Sequence, residues 1–154
     1  MDALNIAREY DKKQYIVIGI GDEQYGIDIA FVDNILRMQS ITRVPDTQEY
    51  FKGVINLRGE VVPVMSIRIK MGLDDDVITN KSRIIIVKLE NNAPIGIIVD
   101  EVKEVVTLDE TKIDTVSNSG KKMDASFING VGKVEDQLIS LLELSTVINE
   151  KEMA

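Results

Sequence analysis

The chain has 154 residues, 44% hydrophobic and 29% charged, with a formal net charge of −8 and neither cysteine nor histidine. That balance belongs to a soluble globular protein, and it excludes disulfides, thiolate nucleophiles, the usual zinc sites and the commonest general base. Net acidity without a basic cluster, and seven Phe and Tyr with no Trp, argue against nucleic-acid binding, which needs cations against phosphates and rings against bases.

Residues 1–13 are polar and lack the apolar stretch of a signal peptide, so they are expected to be a flexible segment. No apolar run approaches the roughly 20 residues that span a bilayer, and a cytoplasmic location is expected. Gln14 to Ile20 is β-branched and apolar, Gly21-Asp22 is a turn signal, and Gln24 to Ile29 continues as a second strand, which predicts a hairpin. A short helix is expected around Asp46 to Phe51. Gly53 to Leu57 and Val61 to Ile67 read as strands about Arg58-Gly59, and Ile67 to Met71 as a helical turn. Gly72 to Asn80 is a loop. An EF-hand read from Asp74 puts Thr79 at the glycine position and Ile85 at the bidentate glutamate position, so calcium is not expected. Arg83 to Leu89 and Pro94 to Val99 predict a second hairpin. Val116 to Met123 is small and polar and reads as a mobile loop. From about Ser145 a C-terminal helix is expected, with Ser145 as its cap and Val147, Ile148 and Met153 packing.

These elements repeat. Gly26-Ile27, Ile29, Val32 and Ile35 lie over Gly96-Ile97, Val99, Val102 and Val105 at an offset of 70 residues. At an offset of 77, Gly53-Val54, Val61-Val62, Val64-Met65 and Ile67 lie over Gly130-Val131, Leu138-Ile139, Leu141-Leu142 and Leu144. Matches at fixed offset signal an internal duplication. Each copy is expected to form a closed or nearly closed β unit, which removes its free edges. The first is assigned to residues 14–80, the second to 81–144, and the C-terminal helix and tail to 145–154.

No nucleophile elbow or phosphate-binding loop is present. Asp28, Asp33, Asp100 and Glu101 fall near matched strand ends and read as solvent-facing. No catalytic residue, metal or cofactor is assigned. What remains is apolar surface: Val32 and Ile35 match Val102 and Val105, and a pseudo-two-fold would bring them around one cleft suited to a partner helix. Arg58 is unexplained by this pattern. At the matching turn the second copy carries Glu135-Asp136, so the turn demands polarity and no particular charge.

The series Gly26-Ile27-Asp28-Ile29, Ile41-Thr42-Arg43-Val44-Pro45, Phe51-Lys52-Gly53-Val54-Ile55-Asn56-Leu57-Arg58-Gly59, Val62-Pro63-Val64 and Ile67-Arg68 resembles the CheW-type chemotaxis coupling proteins over about residues 14 to 150. The resemblance implies an all-β fold of two SH3-like five-stranded barrels packed side by side, with short helices including one at the C-terminus. It further implies a non-enzymatic adaptor between the cytoplasmic tip of chemoreceptors and the regulatory domain of the histidine kinase CheA, monomeric in isolation and assembled in receptor arrays. Arg58 then sits at the coupling position within Asn56-Leu57-Arg58-Gly59. Receptor helices are expected in an apolar groove between the barrels, at Val32, Asn34 and Ile35 of the first and Ile84, Gly96, Val102 and Val105 of the second. The kinase is expected to pack end to end with the barrels. Asn34 replaces an acidic residue common in the family, and Ser66 an Asp that often precedes the Ile-Arg pair. An interaction module of another signalling system, and an enzyme built on a duplicated barrel, are the alternatives.

Overall fold

The structure, a computed structural model, describes residues 12–89, 93–114 and 127–148. The β-branched runs form strands in chain order: β1 (Lys12–Ile20), β2 (Glu23–Asp28), β3 (Val32–Arg37), β4 (Phe51–Leu57), β5 (Glu60–Ser66), β6 (Arg83–Val87), β7 (Ile95–Val99), β8 (Glu101–Asp109), β9 (Ile113–Asp114), β10 (Ile128–Val134) and β11 (Gln137–Leu142). Two short helices follow equivalent strands, α1 (Ile67–Lys70) after β5 and α2 (Leu144–Val147) after β11. Ser66, fully buried, caps α1 by accepting from the Ile69 amide at 3.2 Å, so serine does what a capping Asp would do. α2 is capped differently from the expectation. Glu143 stands at its N-cap, while Ser145 lies inside the helix and donates to Glu143 Oε1 at 2.8 Å.

The strands form two sheets of pure β pairing. One, barrel I, has the order β3-β6-β7-β5-β4; the other, barrel II, has β8-β1-β2-β11-β10-β9. Barrel II counts six strands because the two-residue β9 joins it. Both sheets close in the same way. The chain leaving β3 returns to bridge Thr42 to Val54 of β4, and the chain leaving β8 returns as β9 to pair Asp114 with Val131 of β10.

The duplication is real, and its copies exchange hairpins. The β6–β7 hairpin lies in the sheet of β3, β4 and β5, while β1–β2 lies in the sheet of β8, β10 and β11. The division of the sequence at residues 80 and 81 therefore does not coincide with the division into sheets. The exchange is made by two parallel pairings, Val64 with Gly96 and Leu141 with Gly26. They are the same pairing seen twice, since Gly26 and Gly96 match at 70 and Val64 and Leu141 at 77. Glycine is required there by close approach. A Cβ on Gly26 would meet Leu141 Cδ2 at 2.8 Å, and one on Gly96 would meet Ile84 Cγ2 at 2.9 Å.

Alternation along the exchanged strands builds three cores from one sequence pattern. Ile84, Ile86 and Ile98 fill barrel I with Ile55, Val62 and Val64. Tyr15 and Val17 fill barrel II with Val106, Leu108, Ile139 and Leu141. The opposite faces of the same strands, including Ile16, Ile18, Ile27, Ile85, Val87, Ile97 and Val99, meet in a third cluster between the barrels, joined by Leu144, Val147 and Ile148 around α2. Instead of the expected helix over 46–51, residues 46–50 form bends and a turn and Phe51 opens β4; Pro45 precedes them and Asp46 is held at φ 61°. The expected mobile loop at 116–123, most of the N-terminal segment and Met153 lie outside the described residues.

A bidentate polar tie crosses the barrels. Arg68 of α1 donates through Nε to Asp100 Oδ1 at 2.9 Å and through a terminal nitrogen to Oδ2 at 2.7 Å; Oδ2 also accepts from the Gly21 amide at 2.7 Å. Asp100 is thus no solvent-facing strand end. It links α1 of barrel I to the β1–β2 turn of barrel II. These bonds to Arg68 hold its carboxyl below the usual carboxylate range. A depressed carboxylate pKa contributes stability that is complete above the unfolded value near 4 and is lost as pH falls through the folded value. We expect Asp100→Asn to cost about 1–3 kcal/mol, as for hydrogen bonds to charged groups. Denaturant titrations of the two proteins should converge below about pH 4; a gap that persists undiminished at acid pH would exclude the charged tie as its source.

Candidate functional site

Two strands that lead out of the central cluster carry the apolar candidates. On β3, Val32 pairs with Val87, Asn34 with Ile86 and Ile35 with Ile85, so Asp33 is an extra residue in a β-bulge. On β8, Val102 pairs with Ile18 and Val105 with Ile16, and a bulge at Lys103 interrupts the ladder between them. Asp33 and Lys103 match at an offset of 70. A strand turns residues three apart to opposite faces; one inserted residue restores them to the same face. Each bulge therefore makes a spaced pair, Val32 with Ile35 and Val102 with Val105, cofacial with the central cluster. Val32 and Val102 are half-buried against it. Ile35 and Val105 are 40% and 51% exposed, although each stands opposite a buried residue of the central cluster.

The groove expected between the barrels is otherwise filled. Ile84 is fully buried and Gly96 is buried, both inside barrel I, because their strand positions face the barrel interior. They belong to barrel I, the barrel of β3, and not to the second barrel in which they were expected. Neither presents a side chain to a partner; Ile84 and Gly96 instead pack against one another and position the strands that carry Ile35. Of the apolar side chains expected in the groove, Ile35 and Val105 are the exposed ones and form its rim; Val61, Leu73, Val77, Ile78 and Leu138 are exposed elsewhere. Asn34 is half-buried and uses its Oδ1 locally, accepting from the Ile35 amide at 2.9 Å. A separate open cleft of about 640 Å³, lined by Arg43, Pro45, Phe51, Lys52, Ile69 and Asp75 among others, contains none of these residues.

The second element is the β4–β5 turn. Leu57 pairs with Glu60, leaving Arg58-Gly59 as a two-residue loop, with φ of 52° and 84°. Positive φ at both positions is the requirement of a type I′ turn, for which Asn-Gly and Gly-Gly are preferred. Arginine here bears a Cβ in the left-handed region, a strain of about 1 kcal/mol. Asn56 compensates by accepting from the Gly59 amide at 3.1 Å. Leu57 tucks against the barrel I core. Arg58 itself is exposed, and no ion pair or hydrogen bond of its guanidinium is present among the described residues. The β10–β11 turn repeats the geometry at its first position, with Glu135 at φ 55°. The turn belongs to barrel I, whereas the rim draws Ile35 from β3 of barrel I and Val105 from β8 of barrel II. The Arg68–Asp100 tie escaped sequence reasoning; the only trace of it was the Ile-Arg pair that follows Ser66.

A duplicated pair of small barrels with an exposed apolar rim and a strained basic turn defines a protein that works by contact. The comparisons identify its family. A CheW-like domain matches residues 14–152, and the chain belongs to that family of chemotaxis coupling proteins. It is 32% identical over 139 residues to the chemotaxis protein CheW of Bacillus subtilis, covering 90% of this chain and 88% of that one. It is 33% identical over 137 residues to CheW of Helicobacter pylori, covering 89% and 82%. Among solved structures, the scaffolding protein TtCheW of Thermoanaerobacter tengcongensis superposes with a TM-score of 0.82 at 35% identity, over 92% of each chain.

Burial separates two kinds of variant. Ile84→Ala should cost about 2–5 kcal/mol by opening a cavity in barrel I. Ile35→Ser and Val105→Ser should each change stability by less than about 1 kcal/mol. Thermal melts of the three read the difference directly; a large loss for either rim variant would make that side chain a core residue and remove it from the contact surface.

Proposed function

We propose that the protein is a non-enzymatic scaffold that couples the cytoplasmic tips of chemoreceptors to the regulatory domain of the histidine kinase CheA, in the cytoplasm. The observation that carries this reading is the pair of exposed side chains Ile35 and Val105, presented by equivalent bulges, in a chain of the CheW-like family. An apolar rim beside a rigid core suits the apolar stripe of an amphipathic helix, here one from a receptor tip. The kinase packs end to end with the barrels, and Asn56, Leu57, Arg58 and Gly59 form the coupling turn. No helix among the described residues is long and apolar enough to cross a membrane, in keeping with a protein that reaches the membrane through its receptors.

Such an adaptor transmits a signal only by binding one state of a partner better than another. A preference of about 1–3 kcal/mol is the ordinary size of such coupling. The shared central cluster makes the two barrels one body, so a displacement imposed at the rim is passed on rather than absorbed.

Pull-downs with the CheA regulatory domain and with a receptor cytoplasmic fragment test the reading; absence of binding at about 100 μM, equivalent to roughly −5.5 kcal/mol, would refute it. Arg58→Ala is expected to leave the melting temperature nearly unchanged, because the replaced side chain is exposed. Arg58→Gly should hold or raise it by relieving the left-handed strain. Both should impair receptor control of kinase activity in a reconstituted assay. A marked drop in melting temperature would instead make Arg58 a structural tie.

A further inference from the structure

The face of β3 that presents Ile35 also presents Arg37, two residues on, and Arg37 lies directly opposite Arg83 of β6. Like charges directly opposite in a ladder repel, and a fold gains nothing from them. Among the described residues no acidic side chain pairs with either arginine. Arg83 spends one terminal nitrogen on the carbonyls of Asn80 and Ser82, each at 2.8 Å, and Arg37 has no ion pair or hydrogen bond among the described residues. The duplication supplies an internal control. The equivalent of Ile35–Ile85 in barrel II is Val105–Ile16, and the pair two residues on is Thr107 with Gln14, both exposed and neither charged. The ladder therefore closes without charge at this position, and two guanidiniums have been placed there in a chain whose net charge is −8.

We infer that Arg37 and Arg83 form an anion-recognition point beside the apolar contact at Ile35, and that the occupant of this rim is a helix carrying a carboxylate one turn from the apolar side chain it seats on Ile35. The inference rests on the receptor-binding reading above and names the chemistry of that partner. The spacing fits. Two residues along a strand advance about 6.7 Å and one helical turn about 5.4–6 Å, so a helix lying along β3 brings an i+4 carboxylate over the arginine pair. Two planar donors borne by paired strand positions can converge on a carboxylate's two oxygens, and its charge relieves the repulsion between them. Arg83, already anchored to two carbonyls, is the preorganised member, and Arg37 closes on the ligand.

The test uses the full chain and a soluble cytoplasmic hairpin fragment of a chemoreceptor from the same organism, with affinity measured by titration calorimetry in low and high salt. Arg37→Gln and Arg83→Gln should each weaken binding on the order of tenfold in about 50 mM salt. The gap should close toward about 0.5 M salt as screening removes the charge term. Arg37→Lys should recover part of the loss, and Arg37→Glu should abolish binding. The melting temperature of Arg37→Gln should be equal to or above that of the parent, because a repulsion has been removed; a purely structural arginine would lower it. Arg37→Gln binding within about twofold of the parent at low salt would overturn the inference while leaving the adaptor reading intact. Failure of the parent chain itself to bind the fragment would overturn both.

Discussion

The fold depends on the exchange of hairpins between two copies of one sequence pattern. Each copy could have closed on itself. Instead β2 pairs in parallel with β11 and β7 with β5, and each barrel is completed by the other copy's strands. The alternation of β1, β2, β6 and β7 then has two consequences at once. One face of each hairpin fills the barrel it has joined, and the other faces the barrel it came from. The central cluster is that second face, built from both hairpins together with α1 and α2. Separating the barrels would expose it entirely, so they cannot move apart as independent domains without unfolding. The Arg68–Asp100 tie sits across the same junction and adds direction to a contact that burial alone would leave unspecific.

The site inherits its geometry from this arrangement. β3 and β8 are the outer strands adjoining the exchanged hairpins, and the bulges at Asp33 and Lys103 turn their apolar residues toward the central cluster without letting it swallow them. Exposure of Ile35 and Val105 is a product of position: they stand opposite core residues at the sheet's margin, where no further strand covers them. Ile35 and Val105 stand opposite Ile85 and Ile16 of the central cluster, so the surface they present is backed by buried side chains.

Much of this was legible in the sequence, and what was not has identifiable causes. Both hairpins and the duplication followed from alternation and fixed offsets, and the coincidence of Gly26 with Gly96 was a true trace of the parallel contacts. The exchange was hidden because strands distant in sequence leave no periodic signal of which neighbour they choose. Ile84 was expected in the groove only through the family resemblance; Ile84-Ile85-Ile86 is apolar on both faces, and a run without alternation does not say which side is inward. Both sides are buried here, one in barrel I and one in the central cluster. Val32 and Ile35 were expected around one cleft, yet their spacing of three is wrong for a simple strand; the bulge at Asp33 is what puts them on one face. A helix at 46–51 failed against the left-handed Asp46, a local conformation that propensity does not reveal.

Duplication also gives a way to separate what the fold needs from what a partner needs. Where the copies agree in residue type and surroundings, the cause is packing, as for Gly26 and Gly96 against their parallel strands. Where the backbone agrees and the charge does not, packing cannot be the cause. Arg58 and Glu135 share a left-handed turn position with opposite sign, and the Arg37–Arg83 pair stands over uncharged Thr107–Gln14 in an identical ladder. Both departures fall in barrel I and both add positive charge to an acidic protein. The left-handed strain is common to both turns, so there only the sign of the charge differs between the copies. The repulsion of Arg37 and Arg83 has no counterpart at Thr107 and Gln14, and a cost that one copy carries and the other lacks is not a requirement of the repeated fold.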